Sequence, residues 1–267
     1  MHSVALTRWE STRTVEVELA WLAPLMGLLP YDARLRLNTG MPVVVARGCA
    51  LADAQQRLSA IRTHGHGAVV IDESSVPRAE RMPVVASFEL RDAELIAQVR
   101  GGPSHTLPFA QLLGVVRAIE VCEQEHAVET VEKKLAIGRA LLSGGLMTSK
   151  TVHKSTSKKS LEHEQVAYLF RCEAAEPLLL RESSLSYAGL GSERGVSAHE
   201  SFMRLMKTLR ERAPSALHDD RLCVRKRRAE QTTVRGTSSE QTRASTNSTA
   251  NDMAAYVLVQ AHLQGQL

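Results

Sequence analysis

The stretch TVEVELAWLAPLMGLLPYDARLRLN, residues 14–38, decides how the first part of the chain is read. Its opening sets Val15, Val17 and Leu19 against Glu16 and Glu18. That alternation predicts a strand with one wet face over 14–20. Pro30 followed by Tyr31, Asp32 and Ala33 predicts the first turn of a helix, because a proline there forfeits only an N–H with no intrahelical partner. Leu28, Leu35 and Leu37 add an apolar stripe. Next, GMPVVVARG (40–48) reads as a connector with a short apolar run. ALADAQQRLSAIRTHG (50–65) reads as a helix with Ala54, Leu58 and Ile61 on one face and Gly65 ending it. AVVID (68–72) predicts a second strand, so the expected order is strand, helix, helix, strand.

The landmarks Gly27-Leu28, Ala33-Arg34, Pro42, Gly48, Asp53-Ala54, Gly65 and Val69-Val70 follow a family pattern. Residues 14–72 resemble the C-terminal domain of bacterial ribosomal stalk proteins. Spacing from Pro42 onward runs without a gap, and one extra residue lies between the helix and that proline. The resemblance implies a small β-α-α-β domain. It also implies protein binding, because the family recruits translational GTPases with a cationic face on its first two helices. Here the matching positions before Gly27 are the uncharged Ala20 and Ala23, and only Arg34, with Arg36 near it, keeps that charge. The resemblance therefore implies a borrowed protein-binding scaffold more than factor binding.

After a Ser/Pro-containing connector (74–83), VVASFEL (84–90) predicts a strand and HTLPFAQLLGVVRAIEV (105–121) an apolar helix, while 128–142 suits either. VAYLFRCE (166–173) and EPLLLRES (176–183) predict a hairpin, SYAGLGSERG (186–195) a glycine-rich turn, and HESFMRLMKTLRER (199–212) an amphipathic helix. This second region suggests a small sheet domain of the kind that binds peptides or lipids. AEQTTVRGTSSEQTRASTNSTA (229–250) has one large apolar residue, Val234, and is expected to be disordered. NDMAAYVLVQAHLQ predicts a short helix capped by Asn251 or Asp252. The expected class is α+β: a stalk-like domain (1–73), a connector (74–83), an α+β domain with a hairpin and a closing helix (84–220), a basic then disordered tether (221–250), and a short amphipathic helix (251–267).

The 267 residues are 43% hydrophobic and 23% charged, which excludes collagen-like and wholly disordered classes. No apolar run is long enough to span a bilayer, and MHSVALTRWESTRTVE lacks a signal-peptide apolar region. Cys49, Cys122, Cys172 and Cys223 are widely spaced, unlike metal-site pairs, and suit reduced thiols in a cytoplasm.

GGLMTSKT (144–151) approaches a phosphate-binding loop, but Ser149 stands where the loop needs glycine and the segment that follows has no apolar helical face. His64 and His66 flank Gly65 and suit a helix end better than a metal site, which needs more ligands. His218, Asp219 and Asp220 suit a helix-exit loop, and Glu162, His163 and Glu164 carry no catalytic spacing. No nucleophile elbow or catalytic cysteine signature is present.

The net charge of +4 is concentrated in two acid-free segments. Lys150, Lys154, Lys158 and Lys159 occupy 150–159, and Arg221, Arg225, Lys226, Arg227 and Arg228 occupy 221–228. Such clusters offer sequence-independent phosphate contact, without the stacking aromatics that single-strand binding uses. The reading is a cytoplasmic, non-catalytic interaction or regulatory protein with no catalytic, cofactor or metal residues and an unidentified protein partner. Its candidate contacts are Arg34 and Arg36 in the first domain and Met253, Tyr256 and Val257 in a terminal helix that docks on its own domain or on a partner. Weak nucleic-acid contact through the two basic segments is the alternative, and an enzyme of unrecognised class is the third reading.

Overall fold

The computed structural model describes residues 1–10, 14–135, 149–172, 176–224, 244–245 and 248–267 of an α+β protein. Its first strand lies upstream of the predicted one. His2–Arg8 (β1) runs antiparallel between Val43–Cys49 (β2) and Gly67–Asp72 (β3). Residues 15–20, expected as a strand, instead open the helix Val15–Met26 (α1). Leu19, Leu22, Ala23 and Met26 recur at helical spacing and are buried, whereas Val15 and Val17 face solvent. Helix Pro30–Leu37 (α2) begins on its proline, and Leu51–Thr63 (α3) follows β2, giving the order β-α-α-β-α-β. Gly27 ends α1 at φ 64, a conformation that favours glycine, and its N–H donates to the Pro24 carbonyl at 3.0 Å. The helices close over Val4, Leu6, Val43 and Val45 on one face of this sheet.

Two further sheets build the rest. Val85–Leu90 (β4), Glu94–Val99 (β5) and Ser104–Pro108 (β6) form an antiparallel meander. Leu112–Leu135 (β7), Ser149–Arg171 (β8), Leu178–Arg181 (β9) and Leu217–Asp220 (β10) form a sheet ordered β10-β7-β8-β9. The apolar helix expected over 105–121 is therefore β6, a single turn of 3-10 helix at Phe109–Gln111, and the start of β7. Its apolar run reflects burial on two faces: Val115 enters one core, and Val116 and Ala118 enter another. The predicted hairpin is the antiparallel β8–β9 pair, with Val166 opposite Arg181. Helix Ala198–Arg212 (α4) starts where Ser197 Oγ accepts the Glu200 N–H at 3.0 Å, and it buries Phe202, Leu205, Met206 and Leu209.

After the short helix Arg221–Val224 (α5), the last element is Ser248–Leu263 (α6). It begins before the predicted caps, so Asn251 and Asp252 are buried inside it. Met253, Val257 and Ala261 pack on Ala5, Val69 and Ile71, the face of the first sheet opposite α1 and α3. Ala254, Ala255, Leu258 and Val259 pack on Val116, Ala118, Val166, Tyr168 and Leu179 of the sheet that contains β7. A helix that is apolar all round belongs between two layers. Close approach needs small residues, and a Cβ added at Gly114 would lie 3.2 Å from Val259 Cγ2.

By its internal contacts the chain divides into two compact units. Met1–Glu120, Glu164–Gln231 and Asn247–Leu267 form one compact unit, and Val121–His163 with Thr232–Thr246 form another. In the second, Ala244–Ser245 (β11) pairs antiparallel with β7. Residues 244–245 and 248–250 of the expected disordered tether thus belong to a strand and to α6. The rest of 229–250, and 136–142 of the ambiguous stretch, lie outside the described residues.

Asp252 makes the seat of α6 sensitive to pH. Its Oδ1 accepts the Tyr168 hydroxyl at 3.0 Å and its Oδ2 accepts the Ala79 N–H at 2.8 Å. Burial, and then the nearby Glu120 carboxylate, push its pKa up to about 6 from 3.8. The folded state thus holds this proton more tightly than the unfolded chain, so Asp252 contributes most to stability below about pH 4. That contribution falls as pH rises through 6, by about 3 kcal/mol at full ionisation. Urea unfolding at several pH values should show the wild type losing stability between pH 4 and 7 relative to Asp252→Asn. Parallel curves would contradict the assignment. Leu258→Ala, at a fully buried site, should cost about 2–5 kcal/mol in the same measurement.

Candidate functional site

Exposed large apolar side chains collect on the α1–α2 hairpin. Leu29 and Tyr31 are each 71% exposed, Val17 58% and Leu35 39%. Tyr31 and Leu35 stand one helical turn apart on α2, and Arg34 and Arg36 on the same helix are also exposed. Arg34 Nη1 lies 3.7 Å from Glu16 Oε1, a solvated pair that contributes little to stability. Arg36 has no ion-pair partner among the described residues.

Beneath the hairpin lies a polar cluster that fixes α1. Glu18, placed on a wet face by the sequence pattern, is fully buried. Its Oε2 accepts the Trp21 Nε1–H and lies 3.0 Å from His66 Nε2 and 3.5 Å from His64 Nδ1. The Glu10 N–H donates to His66 Nδ1 at 2.9 Å, which places the His66 proton on Nε2, facing Glu18. Trp21 stacks on His64 with ring centroids 3.8 Å apart, and Trp9 stacks on His66 at 4.4 Å. Both ring nitrogens of His66 are used in holding these elements together, so the pair flanking Gly65 acts as an anchor. No group of three or more His, Cys, Asp or Glu that could hold a metal occurs among the described residues. Arg57 Nη1 on α3 donates to the Leu25 carbonyl near the end of α1, adding a cation at that helix terminus.

The remaining predicted residues are placed separately. Met253 and Val257 are buried against β1 and β3, and Tyr256 is half-buried, so the protein's own sheets occupy the helix face proposed for a partner. Lys150, Lys154, Lys158 and Lys159 lie on β8, hydrogen-bonded beside β7, whose segment contains Glu123, Glu125, Glu129 and Glu132. Arg221 is committed internally: its Nε donates to Asp219 Oδ2 at 2.8 Å and its Nη1 to the Thr7 carbonyl at 3.2 Å. Arg225, Lys226, Arg227 and Arg228 lie outside the described residues. His218, Asp219 and Asp220 have separate partners, the Ala213 carbonyl, Arg221 and Arg117 respectively.

A second polar cluster, invisible in spacing, lies beside α6. Arg181 Nη1 donates to Glu120 Oε2 at 2.8 Å and to Glu164 Oε2 at 3.2 Å, and Ser183 N–H donates to Glu164 Oε1 at 3.2 Å. Burial, and then Asp252, push the Tyr168 phenol up, which keeps it a hydrogen-bond donor. No helix among the described residues is long and apolar enough to cross a membrane. Compared with protein-family models, curated proteins and solved structures, the chain matches none.

The anchor under α1 is testable. Glu18→Ala removes the acceptor of two N–H groups, Trp21 Nε1 and His66 Nε2, each costing about 1–3 kcal/mol when left unpaired in the interior. Urea unfolding followed by tryptophan fluorescence should show a loss of about 2–5 kcal/mol. Glu18→Gln, which keeps one acceptor, should lose less. Equal losses from the two variants would remove the anchoring role.

Proposed function

We propose that this chain is a cytoplasmic, non-catalytic protein-interaction module whose contact face is the α1–α2 hairpin. The observation that carries the reading is the exposure of Leu29, Tyr31 and Leu35 beside Arg36 on a hairpin held by the buried Glu18 cluster. Apolar side chains on a rigid support bind with little ordering cost, and aromatic and arginine residues are favoured at interface centres. The chemistry suits a partner surface with apolar groups flanked by carboxylates. The proposed likeness of residues 14–72 to ribosomal stalk domains agrees with this use, and Gly27 and Gly65 fall at the ends of α1 and α3. Cytoplasmic placement fits Cys49 and Cys172, which are free thiols.

Nucleic-acid contact is the weaker alternative. Arg221 is engaged with Asp219, and the β8 lysines share a sheet with a glutamate-bearing strand. A photo-crosslinking residue placed at Tyr31 or Leu35 in cells should yield a discrete protein adduct. The same residue at Val196, fully exposed but distant in sequence, should not. Arg36→Glu should reduce the Tyr31 adduct several-fold. Adducts no stronger at 31 and 35 than at 196 would overturn the proposal.

A further inference from the structure

A cleft of about 160 Å³ opens where α4 crosses β7 and β10. Its size suits a small ring, since a cavity of about 150 Å³ accommodates benzene. The sheet supplies Val115, Arg117, His218 and Asp220 to its lining, and α4 supplies Met203, Met206, Lys207 and Arg210, so both sides carry apolar and polar groups. Three cations line the cleft with one carboxylate, Asp220, and two of them, Arg117 and Arg210, lie within 4 Å of it.

Arg117 is the least solvated of the three, its side chain 12% exposed on β7. Its Nη1 lies 3.3 Å from Asp220 Oδ2 and its Nη2 donates to Gln165 Oε1 at 2.9 Å. Its Nε is buried and has no hydrogen-bond partner among the described residues. Arg210 Nη2 lies 3.8 Å from the same Asp220 oxygen. Two guanidinium groups therefore converge on one carboxylate oxygen that is itself partly exposed. Lys207, at the rim, has only an exposed contact with Glu211 at 3.7 Å. A carboxylate or phosphate oxygen that displaced Asp220 Oδ2 would meet the guanidinium groups of Arg117 and Arg210.

We propose that this cleft binds a small organic anion, with its carboxylate or phosphoryl head at Arg210, Lys207 and Arg117 and a short apolar or aryl portion against Met203 and Val115. Asp220 occupies the position of the head when no ligand is bound and competes with it. The cleft is separate from the α1–α2 hairpin, so the two proposals stand independently.

Isothermal titration of the full chain with phenyl phosphate and with benzoate tests this directly, with inorganic phosphate and benzyl alcohol as controls. Saturable one-to-one binding of at least one aryl anion is expected, tighter than inorganic phosphate, with no binding of benzyl alcohol. The preferred aryl anion identifies the head group. Arg210→Gln and Lys207→Gln, both at exposed side chains, should each weaken binding at least fivefold, while Asp220→Asn should tighten it several-fold. Absence of saturable binding to both aryl anions, or affinity unchanged in Arg210→Gln and Lys207→Gln, would overturn the proposal. Weaker binding to Asp220→Asn would show that the carboxylate supports the ligand instead of competing with it, and would also overturn it.

Discussion

Helix α6 is enclosed on both sides, and the arrangement of the larger unit follows from that. From Asn251 to Ala261 only Tyr256 and Gln260 are partly exposed. One face seals the first sheet and the other seals the sheet containing β7. Without α6 each sheet has an uncovered apolar face, since α1–α3 cover only one side of the first and α4 lies in the core on the other side of the second. Burying Val257, Leu258 and Val259 contributes about 1.5–3 kcal/mol per side chain. The small residues Gly114, Ala254, Ala255 and Ala261 permit the close layer spacing. Polar contacts fix the end of the chain as well: Thr7 Oγ1 donates to the Gln266 carbonyl, and Arg62 Nη2 donates to Gln264 Oε1 at 3.1 Å.

Polar groups inside this structure orient elements that apolar packing alone leaves free to slide. Asp252 holds α6 to Tyr168 on β8 and to Ala79 in the connector. Arg181 links Glu120 on β7 with Glu164 on β8. Glu18 performs the same task in the first sheet's layer, holding α1 to His66. An interaction face on α1 and α2 depends on that orientation, because a hairpin free to rock spends binding energy on becoming ordered.

Much of the fold is legible where local signals are unambiguous. Pro30, Gly65 and the spacing of Phe202, Leu205, Met206 and Leu209 mark helix ends and a core face, and the β8–β9 hairpin follows from paired apolar runs. Two segments differ from their sequence pattern because that pattern is ambiguous. Residues 14–20 alternate like a strand but are too few to distinguish a two-residue period from a helical one, and the longer spacing through Met26 decides for helix. Residues 105–121 are continuously apolar, and a strand buried on both faces carries the same signature as a buried helix. The buried Glu18 meets His66, Asp252 meets Tyr168, and Glu120 meets the half-buried Arg181, each pair from distant segments that no spacing rule connects. The joining of two sheets by α6 is equally out of reach, because its all-round apolar character does not name the surfaces it covers.

Native-state hydrogen exchange tests most directly whether α6 makes the two sheets one cooperative body. Amides of α6 from Met253 to Ala261 should open with the same free energy, and the same denaturant dependence, as those of β1 and of residues 166–170 on β8. Exchange through α6 at markedly lower free energy, with both sheets still protected, would contradict this role and make the helix a peripheral attachment.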